Sequence, residues 1–143
     1  MYNPTQIEVR EFFFNILAKD KAKIALTDLE KMALSVILQH PEYNEILNNK
    51  DKYLTYQWNI DEGNTNPFLH LSMHLTLIEQ ISINQPTGIK DSFYKLCKKY
   101  GTEHEAFHQL IDCLGEMLWQ AQKYKSAPDV NLYLDCINNK IRV

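Results

Sequence analysis

The sequence predicts an all-α protein, a single-domain helical bundle of about six to seven helices spanning residues 1–143. Three observations carry that prediction. Apolar residues recur at three- and four-residue spacing through most of the chain, the period of one helix face. Helix-start signals repeat along it, with Asn-Pro at Asn3-Pro4 and Asn66-Pro67, and Thr27 three residues ahead of Glu30. Only four glycines and five prolines leave little material for the turns of a β-sandwich or barrel, and no stretch alternates convincingly as a strand.

Taken in order, Asn3-Pro4 starts a helix that runs to about Lys19, with Ile7, Phe12, Phe13, Phe14, Ile16 and Leu17 as its apolar positions. The three phenylalanines make a face broad enough to pack on two neighbours. A linker, Asp20–Leu26, leads to the capping-box spacing of Thr27 and Glu30 and to a helix carrying Leu29, Met32, Ala33, Val36 and Ile37. Pro41 ends it after His40, because the residue before proline is pushed out of the α region. A short helix is expected over His40–Leu47, then an irregular but packed stretch to Asn66, anchored by Tyr53, Tyr56 and Trp58, with a turn at Asp61-Glu62-Gly63.

Asn66-Pro67 launches a helix to about Ile83. Pro86 closes it, Thr87 is placed to cap Gly88–Tyr100, and Gly101 ends that helix at a left-handed position. The longest helix should run from about Thr102 to Tyr124, and a last amphipathic one follows Pro128 with Val130, Leu132, Tyr133, Leu134, Cys136 and Ile137.

Composition narrows the function classes. With 45% hydrophobic and 23% charged residues the chain can bury a core, and a net charge of −3 gives no electrostatic reason to expect nucleic acid. Lys95, Lys98 and Lys99 gather on one segment at the spacing of a solvated helix face. No run approaches the ~18 apolar residues of a membrane span, and the N-terminal stretch lacks the cleavage site of a signal peptide, so no membrane partner is expected. Cys97, Cys113 and Cys136 are odd in number and lack CxxC spacing, which reads as free thiols in a reducing compartment and hence as a cytoplasmic protein. Nucleotide-binding glycine motifs and the GxSxG elbow are absent, so no nucleotide cofactor is expected.

The chemistry-bearing pattern is two pairs of histidines four apart: His70 and His74 on one helix, His104 and His108 on another. Residues at i and i+4 share a helix face, with Cβ atoms about 6 Å apart. His70, His74, Leu77 and Ile81 form one stripe that is otherwise apolar, so those imidazoles should face inward. Glu79 falls roughly opposite His70, at about 100° per residue, and drops out as a partner on that face. On the second helix, His104, His108, Asp112 and Glu116 recur every four residues, drifting by about 40° per step.

Facing helices that supply imidazoles and carboxylates are how bundles build metal centres. The expected ligands are therefore His70, His74, His104 and His108, with Asp112 and Glu116 as ligands or as groups that orient them. The expected cofactor is a divalent metal: zinc, iron, manganese or nickel. The other reading is a non-enzymatic interaction module, binding a protein partner or forming a homodimer, whose histidines complete a polar core. His104-Glu105-Ala106-Phe107-His108 also spells HExxH, but a zinc protease needs a substrate-binding strand that this pattern lacks. His40, alone at a helix junction, reads as a cap or surface residue. The spacing names a candidate site and no reaction.

Tyr2-Asn3-Pro4, HPEY at His40–Tyr43, NPFLHLSMHL at Asn66–Leu75 with Glu79-Gln80, and LGEMLWQAQ at Leu114–Gln122 together resemble a family of small bacterial proteins known only as a domain of unknown function. The resemblance covers nearly the whole chain and implies no activity. More loosely, the HxxxH helices are similar to DinB-like and hemerythrin-like metal-binding bundles, neither of whose ligand spacings is reproduced.

Overall fold

The computed structural model describes residues 4–58 and 66–142, with side chains from residue 6. Asn3, as a helix cap, and the turn expected at Asp61-Glu62-Gly63 lie outside the described residues. Those residues form eight α-helices and no strand: α1 (Pro4–Lys21), α2 (Asp28–Leu38), α3 (Asn44–Leu47), α4 (Lys50–Tyr53), α5 (Pro67–Ile83), α6 (Ile89–Tyr100), α7 (Glu103–Lys123) and α8 (Val130–Arg142). A 3₁₀ turn, Pro41–Tyr43, precedes α3. The all-α expectation holds. No helix among the described residues is long and apolar enough to cross a membrane. Contacts group the chain into two compact units, Met1–Leu75 and Thr76–Val143, with the division falling inside α5.

In the first unit, α1 buries Phe13, Phe14, Ile16 and Leu17, as its apolar face predicts. Phe13 and Phe14 meet Phe68 of α5 at ring-centroid distances of 6.3 and 5.3 Å. The capping box of α2 forms as read: Glu30 N–H donates to Thr27 Oγ1 at 3.2 Å and Thr27 N–H to Glu30 Oε1 at 2.9 Å. Ala33, Val36 and Ile37 are buried, whereas Leu29 and Met32 of the same stripe are exposed. The stripe is wider than the surface it packs on, and Leu29 lines a groove of about 330 Å3 with Val9, Phe12 and Leu75.

The stretch expected to be irregular holds the short helix α4, set off from α3 by Asn48 and Asn49, and its anchor is a residue the sequence did not flag. Arg10 is buried on α1, and its Nη1 donates to the carbonyls of Tyr53, Leu54 and Tyr56 at 3.0, 3.2 and 2.7 Å. The first two carbonyls lie at the C-terminal end of α4, where a helix leaves acceptors unsatisfied, and the third lies just beyond it. The guanidinium also lies 4.9 Å from the Trp58 ring centroid and 5.2 Å from that of Phe68, so the aromatic anchors expected in this segment are held by a cation as well as by each other.

Glu30 also accepts from Lys19 Nζ at 2.8 Å. The Lys19 ammonium, helped by the Thr27 backbone N–H, holds its carboxyl below the ordinary value of 4.5. A depressed carboxylate adds stability above its unfolded-state pKa and loses it as pH falls through the folded one. The melting-temperature difference between wild type and Glu30→Gln should therefore be present at neutral pH and close on acidification below 4.5. A constant offset down to pH 2 would show that the pair contributes nothing ionic.

In the second unit, the start of α6 departs from expectation. Thr87 does not cap it: Asn84 Oδ1 accepts from Gly88 N–H at 3.2 Å and Lys90 N–H at 3.1 Å, with Gly88 at φ +95°. A left-handed residue there suits glycine and brings the chain back over Asn84. Gly101 closes α6 at φ +90°, as read. Thr102 caps α7 and Asp129 caps α8 through side-chain oxygens. Ile89, Phe93, Leu96, Leu110, Leu114, Tyr133 and Ile137 form the core, and the buried Tyr133 donates its hydroxyl to Gln80 Oε1 at 2.8 Å.

The cysteine reading needs correction. Cys113 and Cys136 form a disulfide between α7 and α8, and only Cys97 is a free thiol. Sequence spacing failed because the partners are 23 residues apart on antiparallel-running helices whose register brings their Cα atoms to 5.6 Å. Thiol content therefore no longer argues for a reducing compartment.

Candidate metal centre

Three imidazoles of the first unit converge. His70 and His74 stand one turn apart on α5, whose start is fixed by Asn66: its Oδ1 accepts from Phe68 N–H at 2.9 Å, the capping role read from Asn66-Pro67. The α5 stripe turns inward as expected, with His74 2% exposed and His70 half-buried. The third ring is His40. It does stand at the N-cap position of the 3₁₀ turn, though without a side-chain cap, but it is not the surface residue expected as the alternative. His40 is 2% exposed, and its Nε2 lies 3.1 Å from His70 Nε2. His74 Nε2 lies 3.2 Å from the same atom.

The rings meet edge to face, with centroids 4.7–4.9 Å apart in all three pairings. Pro41 explains the placement. It stops α2 and leaves His40 in a non-helical conformation (φ −126°, ψ 64°), which turns the side chain off the α2 stripe. A lone histidine has no periodic partner, so helical spacing could not find it.

The protonation of His40 follows from its surroundings. Its Nδ1 lies 2.8 Å from the Val36 carbonyl oxygen, which can only accept, so Nδ1 carries a proton and in the neutral ring Nε2 presents a lone pair. A backbone carbonyl that fixes the tautomer of the ring is the support metal-ligating histidines receive. Tyr43 stacks on the other side of the His40 ring, 5.4 Å away and 4° from parallel. Burial raises the Tyr43 phenol above its ordinary pKa, with the Glu42 charge adding to it.

The two short Nε2 contacts cannot both be ordinary hydrogen bonds between neutral rings. With His40 Nε2 an acceptor, a proton on His70 Nε2 can serve that contact but leaves His74 facing a nitrogen without a lone pair. A lone pair on His70 Nε2 serves His74 and sets lone pair against lone pair at His40. A metal cation or an added proton on His40 Nε2 resolves this; with a metal cation, all three nitrogens donate to it. Bonds of ~2.1 Å place ligand nitrogens about 3.0 Å apart at a right angle and about 3.4 Å apart in a tetrahedron. The observed 3.1 and 3.2 Å fall between those values.

In the second unit, α7 carries the other predicted residues. The rings of His104 and His108 are 4.2 Å apart, His104 exposed and His108 half-buried. Asp112 is exposed and accepts from Lys140 Nζ at 3.4 Å. Glu116 is exposed and accepts from Gln120 Nε2 at 2.9 Å. Glu105 of the HExxH spelling is exposed in the first turn of α7, its backbone N–H donating to Thr102 Oγ1.

Searches of curated proteins and of solved structures returned no match. A family profile matches residues 5–139, in keeping with the resemblance carried by the HPEY, NPFLHLSMHL and LGEMLWQAQ blocks. The chain belongs to the family described as a domain of unknown function (DUF1841).

Proposed function

We propose that this protein binds a divalent transition-metal ion through Nε2 of His40, His70 and His74. The supporting observation is the approach of both His40 Nε2 and His74 Nε2 to His70 Nε2 at metal-chelating separations, with the His40 tautomer set by Val36. An all-imidazole donor set suits zinc, nickel or iron(II) better than manganese, which favours oxygen ligands. The looser likeness to DinB-like and hemerythrin-like bundles carries no part of this reading.

Protein purified without a histidine tag and stripped with chelator should gain thermal stability on addition of zinc or nickel, and none with magnesium. An ion present at about 1,000 times its Kd adds roughly 4 kcal/mol, which melting curves resolve readily. No shift with any of the ions, together with metal-free protein after growth in metal-supplemented medium, would instead favour histidines that complete a polar core. The assignment of His104, His108, Asp112 and Glu116 to the centre rests on sequence spacing. The same titration on His108→Ala and on Asp112→Asn with Glu116→Gln tests it: weakened binding includes them, and unchanged binding confines the centre to the three.

A further inference from the structure

The disulfide joins two sulfurs in different surroundings. Cys113 is fully buried, in the face of α7 that carries Leu110, Leu114 and Met117. Cys136 is half-buried on α8 and lines a solvent-open cavity of about 500 Å3, with Glu116, Gln120, Asp135 and Lys140 in its walls. Displacement at sulfur runs in line with the bond that breaks, so the nucleophile needs an open side on the sulfur it attacks. Of the two residues, only Cys136 reaches solvent.

We propose that Cys113–Cys136 is a thiol-exchange site, at which small cationic or neutral thiols attack Cys136 through this cavity. A thiolate RS⁻ bonds to Cys136 Sγ, the Cys113–Cys136 bond breaks, and Cys113 leaves as a thiolate that takes up a proton. With a dithiol, the reagent's second thiol then displaces Cys136. The reagent ends as a disulfide, and the protein has gained two electrons and two protons.

The charge selection comes from the cavity wall. Glu116 and Asp135 place two exposed carboxylates there. The one ammonium, Lys140, is already directed to Gln109 Oε1 at 2.8 Å and Asp112 Oδ2 at 3.4 Å. An anionic thiol meets net repulsion, weakened by salt. Cys97 competes poorly with these reagents as a nucleophile toward the disulfide, because burial, with the Glu103 charge adding to it, pushes its thiol up.

Oxidised full-length protein is treated with limiting cysteamine, quenched in acid, alkylated and mapped by mass spectrometry. The adduct is expected on Cys136 with Cys113 alkylated, by roughly tenfold over the reverse. At low salt and matched thiolate concentration, the rate of thioglycolate relative to cysteamine should be roughly tenfold lower on this protein than on a small uncharged disulfide, with Glu116→Gln plus Asp135→Asn closing most of that gap. Adduct on Cys113, equal partition, no reaction, or a rate ratio no different from that on the small disulfide would overturn the proposal. Adduct mapping uses the unmodified chain, so a variant that folds badly cannot obscure the result.

Discussion

Replacing His40 with alanine is expected to weaken metal binding at least 100-fold, about 2.7 kcal/mol, as much as replacing His74 does. The equality is the informative part. His74 stands on the HxxxH helix, where spacing alone nominates it, whereas His40 is nominated only by the 3.1 Å approach of its Nε2 to His70. A purely structural role would show itself differently. Loss of the Nδ1–H donor to Val36 and of a buried ring would lower the stability of the metal-free protein by roughly 1–3 kcal/mol while leaving affinity per folded molecule intact. Isothermal titration with zinc, on variants first shown to be folded by circular dichroism, separates the two outcomes. His40→Ala binding as tightly as wild type would remove His40 from the centre.

The second large effect is the disulfide. Its cysteines are 23 residues apart, and closing a loop of that size in the unfolded chain stabilises the fold by about 3 kcal/mol in the chain-entropy account. For a chain of this length that corresponds to a drop in Tm of roughly 10 °C on reduction. The Cys113→Ser, Cys136→Ser double variant should melt where reduced wild type does, and reductant should leave it unmoved. A Tm insensitive to reductant would mean that α8 is held by Tyr133 and Ile137 packing, and by the Tyr133–Gln80 hydrogen bond, without need of the bond to α7.

Local physics made most of the helices legible. Asn66, Thr27, Gly101 and Thr102 each act through their own backbone neighbourhood, and each does in the structure what its residue type and position imply. The inward stripe of His70 and His74 is equally local, since one helical period decides which way both rings face. What escaped reading depends on residues distant in sequence. His40 joins His70 across 30 positions, Arg10 reaches Tyr56 across 46, and Cys113 finds Cys136 across 23.

None of these three pairings has a periodic signature, because each is made by the register of one helix against another element. The error at Thr87 has another source. A threonine before glycine is a sound cap by composition, but Asn84 reaches the same amides from the turn before it. The candidate centre was half legible for the same reason: spacing supplied the α5 pair, and the fold supplied the third ring.

X-ray absorption at the metal edge, on untagged protein loaded with one equivalent of zinc, addresses the centre most directly. Nitrogen scatterers at about 2.0–2.1 Å with the outer-shell pattern of at least three imidazoles, lost in His40→Ala, is the expected result. A shell of oxygen alone, or zinc that washes away below one ion per chain, would contradict a metal centre at His40, His70 and His74.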